Sequence, residues 1–290
     1  MRSNVVCRLE PLSRRRFGLG DRGQTRAALP SMPNFSIVFI MGEGHSGSTL
    51  LARMLDMHPE VICGGEMLRL ETALAEGAGP CSCGNPVRDC PAWQRWLTAL
   101  PESVQKDYRH WTPEILDRLR VAAGKSVLVD SSKSRTYRVI ERWRRNPAAC
   151  VLILRDPRGV LCSDLRRGAE LEKELATHRK WMRRYEALVR NHPRQSFTLH
   201  YEDLVAAPEQ TLRGLGEFVG LPFDPAMLTP DNRTHHFIRA STSGYLKGSN
   251  TLRRDERWRQ ELTPPQLDRI GRMLGDLACY DRYRLTERPD

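Results

Sequence analysis

Only six of the 46 basic residues in this 290-residue chain are lysine, no stretch reaches the roughly 18 apolar residues of a membrane helix, and no unit repeats. Each absence narrows the reading. Without a long apolar run, a membrane-spanning helix is not expected. With so little lysine, the net charge of +11 is carried by arginine. That residue suits forked recognition of anions, although arginine-rich usage across a genome would look the same. No aromatic-interleaved basic stripe or recognition motif accompanies the charge, so nucleic acid ranks low as a partner. Ser13-Arg14-Arg15-Arg16-Phe17-Gly18-Leu19 resembles a twin-arginine export signal. The apolar stretch of roughly 7–15 residues that such a signal needs is missing, because Gly20-Asp21-Arg22-Gly23-Gln24-Thr25-Arg26 follows instead. Export is therefore not expected, and the expected location is cytoplasmic. Residues 1–34 hold seven arginines against Glu10 and Asp21 and lack periodicity, which reads as a disordered basic tail. A start at Met32 would remove it.

What is present is an alternation. Strand-like runs fall at Ile37–Met41, Val61–Cys63, Val127–Asp130, Val151–Leu154 and Ser196–His200. Helical patterns follow at about 48–57, 91–100, 112–123, 134–145, 157–167, 171–191, 208–219 and 264–278. Short, wholly apolar strands separated by helices predict an α/β fold: a parallel sheet with helices on both faces, in one domain over 35–290. A cysteine-containing insertion at about 67–125 and a second at 168–194 interrupt it. In such sheets ligands bind beyond the carboxyl ends of the strands. The loops after Met41, Cys63, Asp130 and Leu154 are thus the places to look for chemistry.

The first of these loops carries the strongest signal. Gly42 to Thr49 has the G-x-x-x-x-G-x-[ST] spacing of a phosphate-binding loop, between a strand and a helix. Glycines let the backbone curl so that N–H groups converge on an oxyanion, with the positive end of the next helix behind them. Ser48 stands where a nucleotide triphosphatase carries lysine. A γ-phosphate with its magnesium needs that cation; a donor ending in a singly charged sulfuryl group does not. After the third strand comes Asp130-Ser131-Ser132-Lys133-Ser134, which could equally be a helix cap. After the fourth comes Leu154-Arg155-Asp156-Pro157-Arg158, where Pro157 suits a helix start and Arg155-Asp156 could be a plain surface ion pair.

Gly44-His45-Ser46-Gly47-Ser48-Thr49-Leu50-Leu51, then Met54-Leu55-Asp56-Met57-His58-Pro59-Glu60-Val61, then Leu154-Arg155-Asp156-Pro157-Arg158 with Ser163, together resemble the sulfotransferase family. The pattern is nearest its tyrosylprotein and carbohydrate branch and bacterial relatives. The resemblance is strong over about 36–165 and weaker to Asp255-Glu256-Arg257-Trp258-Arg259. It implies a fold of the phosphate-loop type and 3′-phosphoadenosine 5′-phosphosulfate (PAPS) as donor, leaving 3′-phosphoadenosine 5′-phosphate (PAP). It implies that Gly44, His45, Ser46, Gly47, Ser48 and Thr49 hold the 5′-phosphosulfate, and that Arg155 and Ser163 hold the 3′-phosphate. It also implies Glu66 as general base and Lys133 at the bridging oxygen of the leaving phosphate. No catalytic metal is implied. His45 departs from the arginine found in several relatives, which shifts the cationic work toward Lys133. Arg253 is a further candidate phosphate contact in a segment, Lys247 to Arg254, expected to close over the nucleotide.

Cys81, Cys83 and Cys90 form C-x-C-x6-C among glycine and proline turns. They could hold a structural zinc with Cys63, His58 or His110 as fourth ligand, or be plain loop cysteines. Trp93, Trp96, Tyr108, Trp111, Trp181 and Tyr185 lie in the insertions, where aromatic stripes are more often core than substrate platform. The acceptor expected is a hydroxyl, less favourably an amine, of a small metabolite, lipid, glycan or peptide. Two rival readings are a phosphate-loop kinase or nucleotide hydrolase, with Asp130 as its metal-binding acid, and a non-catalytic binder of anions or nucleic acid.

Overall fold

In the computed structural model, described for residues 34–75, 81–140, 148–238, 252 and 254–287, five strands form one parallel sheet. They are β1 (Ile37–Met41), β2 (Val61–Cys63), β3 (Val127–Asp130), β4 (Ala148–Leu154) and β5 (Ser196–His200), in the order β2-β3-β1-β4-β5. Ile37 pairs with Leu128 on one side and with Ala148 on the other, so β1 is central. β4 begins three residues earlier than the apolar run predicts. Ala148 and Ala149 are weak strand formers, but pairing with β1 holds them extended, and Cys150 pairs with Ser196 of β5 as well. The expected tail and Arg253 lie outside the described residues.

The sheet is buried on both faces. Val38 and Ile40 point to one side with Leu51, Met54 and Leu55 of the Ser48–Asp56 helix and with Leu212 and Leu215. Ile37 and Phe39 point to the other, where Trp93, Trp111 and Leu116 of the insertion pack. Met41, Leu152 and Leu154 meet Leu161, Met182, Tyr185 and Trp258 in a third group. Each such side chain, fully buried, contributes about 1.5–3 kcal/mol, so Trp93, Trp111 and Tyr185 are structural, as the spacing predicts. Trp96 and Trp181 stay partly exposed. Short helices at Leu70–Ala75, Glu102–Lys106, Tyr201–Ala206 and Trp258–Glu261 have too few turns to show a periodicity in sequence. No described helix is long and apolar enough to cross a membrane.

The strand order reverses direction around β1. Chain leaving β1 crosses to β2 at one edge, returns through β3, then passes over to β4 and β5 on the other side. Ligands of such sheets bind at that switch point, outside the carboxyl ends. The four loops singled out in sequence all end there.

Candidate active site

The loop after β1 is built by its handedness. His45 and Gly47 have φ of 61° and 93°, in the left-handed region, and Gly47 caps the Ser48–Asp56 helix. A Cβ on Gly47 would lie 2.6 Å from the Tyr201 ring, so glycine is required for space as well as for conformation. The first-turn N–H groups of a helix have no partner inside it and face outward. Beside them the Ser46 hydroxyl is buried and bonds to no protein atom, as does one carboxyl oxygen of Glu43. An unsatisfied hydroxyl in a curled, glycine-lined loop is the form of an oxyanion cradle.

Glu43 makes that cradle sensitive to pH. Burial first, then the charges of Asp164 and Glu174, push its carboxyl from 4.5 up to about 8, with Lys133 opposing. The folded value is raised, so its contribution to stability is full below about 4.5 and is lost as pH climbs through about 8. Thermal melts should therefore show a fall in Tm over that window, and Glu43→Gln should flatten it. Equal pH slopes in both proteins would disprove this.

Glu66 and Lys133 meet although they stand 67 residues apart: Lys133 Nζ donates to Glu66 Oε1 at 2.9 Å. Arg69 Nε approaches Glu66 Oε2 at 2.5 Å as a close ion pair without hydrogen-bond alignment. Glu66 is set by backbone. Its N–H donates to the Ile238 carbonyl at 3.1 Å, and Gly65, at φ 73°, leaves no room for a Cβ against that carbonyl. Lys133 itself sits at φ 55°.

Asp130 holds the floor beneath this pair. Its Oδ1 accepts from Ser132 N–H and the Thr136 hydroxyl, and its Oδ2 from Met67 N–H and the Ser132 hydroxyl. Burial raises its carboxyl to about 6 against those hydrogen bonds. Ser132 in turn accepts from Leu68 N–H, so it braces the loop after β2 rather than capping the following helix. With both Asp130 oxygens engaged by the protein, the acid that the kinase reading needs is not available to a magnesium ion.

Arg155 is not a surface residue, and it does not pair with Asp156. Its side chain is 7% exposed and faces Asp255 at 2.9 Å, itself 6% exposed. It also donates to the His45 carbonyl at 2.7 Å and lies 4.7 Å over the Tyr201 ring. Gly159 clears the space: a Cβ there would come within 3.1 Å of the guanidinium. Asp156 instead caps the Pro157–Leu165 helix through Arg158 N–H and binds the Arg158 guanidinium. Ser163, one helix turn beyond Gly159, donates to its carbonyl at 2.9 Å. His45 Nε2 stands 3.3 Å from Asp164. Asp255, which also binds Arg257 through two bonds of 2.8 Å, carries no sequence signal of its role.

Of the proposed fourth ligands for the cysteine cluster, none is near it. His58 bonds the Pro222 carbonyl, His110 the Ser103 carbonyl, and Cys63 is buried in β2. His236 takes that place.

Residues 37–225 match the model of the Sulfotransferase family. Protein-tyrosine sulfotransferase 1 of Danio rerio is 24% identical over 264 residues, covering 83% of this chain and 66% of that protein. The chain thus spans about two thirds of the length of that relative. Among solved structures, the sulfotransferase domain from the Synechococcus PCC 7002 olefin synthase aligns with a TM-score of 0.60 at 22% identity, over 85% of this chain and 97% of that one. Mouse sulfotransferase SULT7A1 complexed with PAP aligns at 0.51 and 12% identity, over 86% and 89%. Both share the fold of this chain.

Proposed function

The chain belongs to the sulfotransferase family, and from that premise we propose that it transfers a sulfuryl group from PAPS to a hydroxyl group. The observation that carries the reading is the Glu66–Lys133 pair, 2.9 Å long, at the ends of adjacent strands and beside a phosphate-type loop that lacks its lysine. PAP in the mouse neighbour and the family membership both support PAPS as donor.

The roles follow from what each group can do. Loop amides from Gly44 to Thr49 and the Ser46 hydroxyl hold the phosphosulfate. Glu66 takes the proton of the acceptor hydroxyl as the acceptor oxygen attacks sulfur. The bond from sulfur to the bridging oxygen breaks, and charge grows on the departing phosphate, where Lys133 can turn from Glu66 to meet it. His45 lies at the same loop and joins Lys133 as a candidate. Arg155 and Ser163 take the 3′-phosphate, for which Arg155 must exchange the carboxylate of Asp255 for the ligand. The named relative acts on protein tyrosine, so a phenolic hydroxyl of a peptide is the acceptor to try first, ahead of alcohols of metabolites, lipids and glycans and ahead of amines.

Calorimetry separates this reading from its rivals. PAP should bind tightly with or without magnesium, and ADP and ATP at least about tenfold more weakly, for want of a charge-assisted contact to the 3′-phosphate. Equal binding of all three, or a magnesium-dependent preference for ATP, would remove the sulfotransferase reading.

A further inference from the structure

Three cysteines and a histidine converge at one point beside the strap that pairs with Gly65, and none of the four has a role in the proposed transfer. Cys81, Cys83, Cys90 and His236 each turn one ligand atom inward, and the four atoms lie within 4.8 Å of one another. Cys90 Sγ is 3.2 Å and Cys81 Sγ 4.0 Å from His236 Nδ1. A tetrahedral zinc, with bonds of about 2.3 Å to sulfur and about 2.0 Å to nitrogen, sets its ligand atoms about 3.5–3.8 Å apart. The observed separations straddle that value. All three cysteines are free thiols.

Local structure is shaped to present them. Cys81 N–H donates to the Asn85 carbonyl and Gly84 N–H to the Cys81 carbonyl, closing a tight turn with Gly84 at φ 96°. The turn sets the Cys81 and Cys83 thiols side by side, with one residue between them. Cys90 lies at the N-terminal boundary of the Pro91–Leu97 helix. His236 comes from 146 residues downstream of Cys90, and its carbonyl accepts from Trp93 Nε1 at 2.9 Å. Ser82 ties the two segments twice more, donating to the His235 carbonyl and accepting from Phe237 N–H. Cys81 and Cys90 are buried, and Cys83 and His236 are half-buried.

We infer that Cys81, Cys83, Cys90 and His236 form a closed Cys3His site that binds one Zn2+ and fastens the 235–238 segment to the insertion. Binding releases three thiol protons, and the metal with three thiolates carries one net negative charge. Four protein ligands leave no open position, so the site is structural. Its consequence reaches Glu66. Ile238 N–H donates to the Gly64 carbonyl, and its own carbonyl receives Glu66 N–H. His235 binds Asp56 at 2.6 Å, and Asp56 also accepts from Cys63 N–H at the end of β2. The metal thus holds the strap that sets the backbone of Glu66, a positioning effect that rests on the reading of Glu66 as the base.

The full chain, purified without chelator, should contain about one zinc per molecule by elemental analysis. Exchange for Co2+ should give the visible bands of tetrahedral cobalt with thiolate charge transfer. Cys83→Ser, at the more exposed cysteine, should lose the zinc, while Cys279→Ser keeps it. If Cys83→Ser does not fold, the cobalt spectrum of the unaltered protein decides. A zinc-free protein that takes up no metal on titration, a disulfide among the three cysteines, or an iron–sulfur spectrum would each overturn the site. Zinc removal should also lower kcat while the Kd for PAP stays put. Unaltered kcat after removal would overturn the link to Glu66. Zinc stoichiometry stands apart from transfer, so failure of the sulfotransferase reading would leave it intact.

Discussion

Glu66→Gln is expected to slow sulfuryl transfer by about 10²- to 10⁴-fold while leaving the Kd for PAP unchanged, because a missing general base removes only what acts in the transition state. Glu66 is bonded to Lys133 at 2.9 Å and is fixed through its own N–H to Ile238, yet it belongs to the loop after β2, not to the oxyanion cradle after β1. Glutamine keeps its size and can still accept from Lys133, so the backbone strap and the fold should survive. What it cannot do is take up a proton. Single-turnover transfer to a phenolic acceptor, measured beside calorimetric PAP binding, checks both halves. Turnover within a few-fold of the unaltered protein would move the base elsewhere. A matching loss of PAP affinity would make Glu66 a donor-site residue.

Much of this arrangement is legible in the sequence, and the reason is local. Strand, glycine loop and helix lie within a few residues at 37–56, so the spacing of Gly42, Gly47, Leu51 and Leu55 carries their geometry. The four strand-end loops followed from the sheet type alone. What stayed hidden is whatever depends on distant register. His236 meets the cysteines only because Phe237 and Ile238 are strapped across Gly65 and Ser82. In the sequence, His236 is marked only by standing next to a second histidine, His235. Asp255 is one acid among 35, and nothing nearby marks it as the partner of Arg155. Asp130, at the end of an apolar strand, has the sequence appearance of a metal ligand. Its four hydrogen-bond donors come from three separate positions, Met67, Ser132 and Thr136, and only folding brings them together.

The second large effect concerns Arg155. Arg155→Ala should weaken PAP binding by about 1.5–3 kcal/mol, roughly 10- to 150-fold, beyond whatever it costs adenosine 5′-phosphate. The ratio of the two affinities is the decisive quantity. Arg155 also holds the His45 carbonyl at 2.7 Å, so its loss loosens the cradle for every nucleotide alike, and only the 3′-phosphate term survives in the ratio. Asp255 supplies the control. It now occupies the guanidinium that the 3′-phosphate is proposed to take, and on release it retains Arg257 through bonds of 2.8 Å. Asp255→Asn should therefore tighten PAP, since the ligand no longer displaces a carboxylate, without altering adenosine 5′-phosphate. Combined with Arg155→Ala it should add nothing, because the two changes act on one contact and cannot be additive. An unchanged affinity ratio in Arg155→Ala would assign the 3′-phosphate to other cations. An Asp255→Asn protein that binds PAP more weakly would make the Arg155–Asp255 pair a brace for the loop and not a place held for phosphate.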